Sequence, residues 1–299
     1  MPDLPLYQRA LYKLFNSLRL TEFVRFCNRS RVTILCYHGI TERPDPDPDD
    51  RSQIWVTRSL FRLHLQFLTH RYRVISLRRY LEARKVGDKL PLHSVVLTFD
   101  DGLRNFLTVA APVLRELRLP ATLFVVTNSI EKRGDSILGS HWAPVDDRTS
   151  LSWPEIHDLL FSEEIEIGSH TRSHPVLSDL TSAEIELELD GSLRDLRARS
   201  RPDFLPYLAY PYGAYSEVTA LKARRLGYFC ALTTDAGTNS PFTDVLRLRR
   251  AVVRRFDTLD VFAARVSGLI GWLRIAQYTL RRATVPALRA SNDSYLAPR

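Results

Sequence analysis

The sequence predicts an α/β fold, a parallel (β/α) barrel of seven or eight strands. Three observations predict it. Short apolar, strand-like runs alternate with amphipathic helical stretches through most of the 299 residues. The residues fit for chemistry follow directly on such runs: Asp100 and Asp101 in TFDDG (98–102), His170 and His174 in SHTRSHP (169–175). Barrels carry their active sites at those carboxyl ends. A barrel of roughly 200–250 residues with extensions also fits this length as one domain.

Val32–Tyr37 reads as the first buried strand, followed by RPDPDPDD (43–50), whose alternating Pro and Asp oppose regular structure. A helix is expected over Thr57–Arg71, with Phe61, Leu65 and Leu68 on one stripe. Arg73–Ile75 reads as a strand, Leu77–Lys85 as a helix ended by Gly87, and Ser94–Phe99 as a strand. Leu103–Leu117 reads as helix and Ala121–Val126 as strand; Glu131–Ser150 is a long connection. Trp153–Phe161 reads as a short helix with Pro154 in its first turn, and Ile165–Gly168 as the strand before the histidines. Thr181 and Glu184 form a capping-box pattern opening a helix to Arg199. Tyr207–Tyr210, Tyr228–Leu232 and Val245–Val253 read as strands, Ser216–Arg225 and Leu259–Trp272 as helices.

Composition is that of an ordinary globular protein, 44% hydrophobic and 25% charged. Cys27, Cys36 and Cys230 make no C-x-x-C pair, so a disulfide framework is not expected and a reducing compartment is favoured. The N-terminus lacks an apolar h-region with a small-residue cleavage site, which sets the expectation of a cytoplasmic protein. No 18-residue apolar run is present to span a membrane. Net charge is +8, and only five of the 42 basic residues are Lys. Arginine suits phosphate or carboxylate partners, although a biased codon usage gives the same composition. No helix-turn-helix, zinc-finger or aromatic-plus-basic signature supports nucleic-acid binding.

The two motifs supply two imidazoles and a carboxylate with one carboxylate to spare, a set suited to metal-assisted hydrolysis. His at i and i+4 converge across one helical turn or a tight loop. Adjacent Asp residues diverge on an extended strand, so their convergence requires the chain to turn at Gly102. A lone Asp-Asp pair is commonly a solvated turn, and a lone H-x-x-x-H a surface feature. Their joint occurrence after two buried-type strands favours the metal.

TFDDG, SHTRSHP and AYPYGAY (209–215) resemble the first three motifs of the polysaccharide deacetylase family, carbohydrate esterase family four. YHGI (37–40), LPATLFVV (119–126) and LSWPEI (151–156) resemble it too, in order, from about Val32 to Val253. The resemblance implies a distorted (β/α) barrel holding one divalent metal, and hydrolysis of N-acetyl, sometimes O-acetyl, groups on carbohydrates. It implies Asp101, His170 and His174 as metal ligands, Asp100 as general base, and the Tyr212 backbone N–H as oxyanion donor. Zinc comes first as the metal, with nickel, cobalt and manganese also compatible. An O-acetyl esterase, or an inactive carbohydrate-binding barrel, are the alternatives on the same scaffold.

The chain departs from the family pattern twice. Where many members have an Arg that orients the catalytic carboxylate, this sequence has Ala209; Arg250, in LRLRRAVV (246–253), is the candidate replacement. No Leu-x-His motif closes the chain, since all eight His lie at or before residue 174. His38, ending the first strand, is the candidate general acid, its motif moved to the N-terminal strand. His64 reads as packing; His141, Trp142, Trp153, Tyr212 and Tyr215 are candidates to border the sugar.

Three segments are expected: residues 1–30 as an amphipathic helical extension, 31–256 as the barrel, and 257–299 as a helix and basic tail. Leu4–Phe26 and Gly268–Arg282 combine apolar and basic residues. Such segments either cover a barrel or lie peripherally on an anionic membrane, the latter suiting a lipid-linked glycan at the inner face. Arg281–Arg299 reads as a polar tail.

Overall fold

The computed structural model describes residues 6–42, 53–131, 149–160, 164–201 and 203–273. The loop at 43–50, His141 and Trp142, most of the connection around them, and the tail from residue 274 lie outside the described residues.

Two helices open the chain, α1 (Leu6–Ser17) and α2 (Leu20–Cys27), broken where Arg19 takes a left-handed φ of 57°. Strand β1 (Thr33–Tyr37) is buried at every position, as a largely apolar run enclosed on both faces is. A small parallel pair, β2 (Ile40–Thr41) and β3 (Val56–Thr57), brackets the acidic loop; the sequence reading did not foresee it. Thr57 then caps α3 (Arg58–Arg71), accepting the Leu60 N–H. Next come β4 (Arg73–Val74), α4 (Leu77–Val86) ended by left-handed Gly87, and the buried β5 (Ser94–Phe99).

The expected single helix over Leu103–Leu117 is corrected. Leu103 bridges to Ser150, Phe106–Ala110 is π-helical, and only α5 (Ala111–Glu116) is α-helical. Pro112 is the reason: lacking an N–H, it is tolerated in a first turn and interrupts the ladder from before it. β6 (Ala121–Val125), α6 (Thr127–Glu131), α7 (Trp153–Leu160) and β7 (Ile165–Ser169) follow. α8 (Ser182–Arg199) starts on the Thr181–Glu184 capping box; β8 (Tyr207–Ala209), α9 (Glu217–Arg225) and β9 (Cys230–Leu232) come next.

Two more expectations are corrected. Val245–Val253 is not one strand: Asp244 accepts the Leu246 N–H and starts a 3₁₀ turn, Val245–Arg247, leaving β10 (Ala251–Val252) short. A local side-chain bond there outcompetes the ladder. α10 (Leu259–Val266) stops where Gly268 takes φ 89°, and helix resumes only over 269–273. All three cysteines are free thiols.

The strands form one parallel sheet in the order β10-β1-β5-β6-β7-β8-β9, with β4 also on β5. Leu232 bridges Leu248, so the segment leading into β10 meets β9 while β10 itself pairs with β1, and the sheet curls into a distorted barrel. Register sets the site. Tyr37 pairs with Phe99, Val125 with Ser169 and Ser169 with Leu208. The next residues, His38, Asp100 and His170, therefore emerge side by side at the carboxyl rim.

His64 belongs to the frame. It is fully buried, stacks on Phe262 at 3.9 Å, donates from Nε2 to the Asp257 carbonyl at 2.6 Å, and faces the Tyr37 hydroxyl across 3.3 Å at Nδ1. Burial lowers its pKa to about 4. An unfolded His protonates near 6.5, so between those values the unfolded chain binds the extra proton and stability falls as pH falls. The loss at pH 5 relative to pH 8 should be about 2 kcal/mol from this residue. Urea midpoints for wild type and His64→Phe at the two pH values check it; equal acid losses would refute the assignment.

Candidate active site

At the end of β5 the Asp100 backbone N–H still bonds Tyr37 O at 3.0 Å, while Asp101 takes φ 73° and Gly102 φ 65°. The left-handed turn at Asp101, which few L-residues adopt, lets neighbouring carboxylates converge that an extended strand would hold apart. Gly102 serves twice, since a Cβ there would also lie 3.0 Å from Val125 Cγ1.

His170 and His174 are joined by a tight loop rather than a helical turn. Thr171 and His174 take φ values of 66° and 62°, and Thr171 Oγ1 accepts the His174 N–H at 3.1 Å. Glu188, from α8, accepts the Arg172 and Ser173 N–H groups at 3.0 and 2.8 Å. Half of the positive-φ residues other than glycine among the described residues (Asp101, Thr171, His174 and Tyr212) thus lie in the three motifs. Backbone strain of this kind collects at functional sites.

The side chains converge. His170 Nε2 and His174 Nε2 each stand 3.5 Å from Asp101 Oδ1, and the three ligand atoms lie within 4.8 Å of one another. His170 Nδ1 donates to the Ala209 carbonyl at 2.7 Å, which leaves the Nε2 lone pair facing Asp101. Burial drives His170 down to about 4; burial, and then the repulsion a proton on His174 would meet from a protonated His170, drive His174 to about 3, so both rings stay neutral near pH 7. Burial, followed by the like charge of Asp100, pushes Asp101 up to about 7. A buried carboxylate facing two neutral nitrogen lone pairs lacks only a cation. Ligands about 2.0–2.2 Å from a tetrahedral zinc stand about 3.4 Å apart, so the donor set and its spacing fit a divalent metal.

Asp100 is prepared differently. Burial alone would raise its pKa, but the Arg250 guanidinium, with His170 and His38 nearby, holds it well below the usual carboxylate range. Arg250 grips both oxygens, Nη1 to Oδ1 and Nη2 to Oδ2, each at 2.7 Å. Its remaining donors reach the Thr233 carbonyl at 2.9 Å and Thr98 Oγ1 at 3.3 Å. The guanidinium that the Ala209 position lacks thus arrives from the segment leading into β10. His38 Nε2 stands 4.0 Å from Asp100 Oδ2, and the Trp55 ring packs against the next residue, Gly39, where a Cβ would lie 2.2 Å from that ring.

Tyr212 sits in the Pro211–Gly213 turn with φ 58°, 63% exposed, its ring edge-on to His174 at 4.7 Å. Trp153 and Tyr215 make other contacts: the Arg199 guanidinium lies 4.6 Å from the Trp153 ring, and Tyr215 stacks on Tyr210 at 5.1 Å. Two participants went unforeseen. Cys36 Sγ donates to Asp100 Oδ2 at 3.4 Å, and Glu188 anchors the histidine loop. Alternation along β1 could have placed Cys36 on the inner face two residues before His38; nothing local in the sequence marks Glu188.

Residues 87–231 match the family model described as polysaccharide deacetylase. Over that stretch the chain is similar to the polysaccharide deacetylase family. It is 25% identical over 222 residues to the poly-β-1,6-N-acetyl-D-glucosamine N-deacetylase of Escherichia coli K12, a match covering 65% of this chain and 33% of that protein. The chain therefore spans about a third of the length of that relative. The like-named protein of Staphylococcus epidermidis is 26% identical over 216 residues, covering 68% of this chain and 70% of the relative. A Streptococcus pyogenes deacetylase solved in complex with acetate superposes with a TM-score of 0.66 at 24% identity, over 79% of this chain and 98% of that one. The last likeness shows a shared barrel fold.

Proposed function

We propose that this barrel removes N-acetyl groups from an N-acetylglucosamine-containing carbohydrate. One observation carries the reading: three buried ligand atoms of Asp101, His170 and His174 converge beside a second carboxylate that Arg250 keeps ionised. The relatives named for poly-β-1,6-N-acetyl-D-glucosamine support the substrate class. A divalent cation held by the triad, zinc first with nickel, cobalt or manganese compatible, supplies Lewis-acid activation of water and of the acetyl carbonyl.

The chain's own groups do the rest. Asp100 takes the proton of the attacking water, and the bidentate Arg250 fixes both of its oxygens in place. The backbone N–H of Tyr212 donates to the carbonyl oxygen as negative charge builds on it. His38, across from Asp100, protonates the departing amine.

Acetate release from N-acetylated and O-acetylated glycans, before and after chelation and metal restoration, tests the whole reading. Chelation should abolish release, and elemental analysis should find one metal per chain in the restored protein. Undiminished release without metal would refute it, and activity confined to O-acetyl substrates would make the protein an esterase.

The role of His38 has its own test. An amine leaving group needs a proton, whereas an activated phenolate does not. His38→Ala should lose about a hundredfold or more on the amide and much less on an activated acetyl ester. Equal losses would assign His38 to the frame.

A further inference from the structure

We propose that the helix pair α1–α2 docks this protein on an anionic lipid surface. The docking does not depend on the deacetylase reading. Each helix has two faces with separate uses. The inward faces cover the barrel flank: Val24 is buried with Ala264 and Leu269, and Tyr12, Phe15 and Leu20 pack around them. Asn16 Nδ2 donates to Asp260 Oδ1 at 2.7 Å and ties α1 to α10. That covering role leaves the opposite faces unexplained.

The outward faces carry large apolar side chains where a water-facing helix would carry charge. Leu11, Leu14 and Leu18, spaced i, i+3 and i+7 along α1 and the turn after it, are 40%, 50% and 67% exposed. Phe23 and Phe26, spaced i and i+3 on α2, are 58% and 60% exposed. Such a stripe needs an apolar neighbour.

Charge decides which neighbour. Residues 6–31 contain Arg9, Lys13, Arg19, Arg25, Arg29 and Arg31 against one acid, Glu22. Glu22 is already paired, with Arg25 at 2.7 Å and Arg71 at 2.8 Å. A second copy would bring the same positive face to meet this one across a two-fold axis. Residues 274–299 of the chain itself carry five arginines and one aspartate, so they too share its sign. Anionic headgroups above an acyl layer complement both the cations and the stripe. The Arg29 guanidinium lies 4.2 Å from the Phe26 ring centroid, which puts a cation directly beside an exposed apolar side chain. No helix among the described residues is long and apolar enough to cross a membrane, so the contact is peripheral.

Co-sedimentation of the full chain with vesicles tests this, using phosphatidylcholine alone and phosphatidylcholine with phosphatidylglycerol, at low and high salt. The protein should bind the mixed vesicles, at least about tenfold more weakly the neutral ones, and lose binding as salt rises. The combined variant Leu14→Glu, Phe23→Glu, Phe26→Glu should abolish binding. Arg19→Gln with Arg29→Gln should weaken it about tenfold while leaving the apolar stripe intact. Both should keep the wild-type rate on a soluble oligosaccharide, since these residues stand apart from the barrel rim. Should the apolar variant fail to fold, the arginine variant still decides. Absence of binding, equal salt-insensitive binding to neutral vesicles, or a wild-type dimer that the apolar variant splits in the ultracentrifuge would each overturn the proposal.

Discussion

Replacing Arg250 with alanine is expected to lower kcat on an acetylated glycan about a hundredfold or more, with bound metal unchanged. The guanidinium is 1% exposed and satisfies Asp100 at both oxygens, Thr98 and the Thr233 carbonyl. Its charge opposes the burial that would otherwise raise the Asp100 pKa. Without it the carboxylate loses two charge-assisted bonds, turns more freely and takes up a proton more readily. Stripping one partner from a buried pair typically costs about 3–5 kcal/mol, so the denaturant midpoint should fall too. Arg250→Lys separates the two effects. Lysine restores a charge without the planar fork, so stability should recover further than kcat. Steady-state kinetics, elemental analysis and urea unfolding on the two variants are the measurements. A kcat close to wild type in Arg250→Ala would remove Arg250 from the machinery.

Asp101→Asn should empty the metal site and abolish turnover, and it should also change how the metal-free protein responds to pH. The Asp101 carboxyl is pushed up to about 7 by burial and by Asp100, far above its ordinary value. A carboxyl raised in the folded state makes that state bind the extra proton between the unfolded value, near 4, and about 7. Stability of the metal-free wild type should therefore fall as pH rises through that window, and a bound cation should reverse the loss. Asparagine carries no charge to bury. The metal-free variant should match or exceed metal-free wild type at neutral pH, lack that rising-pH penalty, and gain nothing from added zinc. Thermal melts with and without chelator across the window check this. A variant still stabilised by zinc would place the metal elsewhere.

The sequence carried the fold class because the physics behind it is local. Ser94–Phe99 and Thr33–Tyr37 are mostly apolar and buried at every position, as strands enclosed on both faces are, and their limits were legible to within a residue. Capping by Thr181 with Glu184 fixed a helix start for the same reason. Errors arose where a local alternative competed. Asp244 turned an apolar run into a 3₁₀ turn, and Pro112 opened a π-helical stretch within an apparent helix.

By itself the sequence determined which residue types stand ready: two carboxylates after one strand, two imidazoles after another, and a histidine after the first. Whether they meet was decided by tertiary structure. Strand register aligned Tyr37 with Phe99, and Val125 with Ser169. Left-handed turns at Asp101, Thr171 and His174 then aimed the side chains inward. The match of Arg250 to Asp100, 150 residues apart, is of the same kind. Periodicity and capping act within a few residues of the chain, whereas an ion pair between strands exists only once the sheet has curled and carried both ends to one rim.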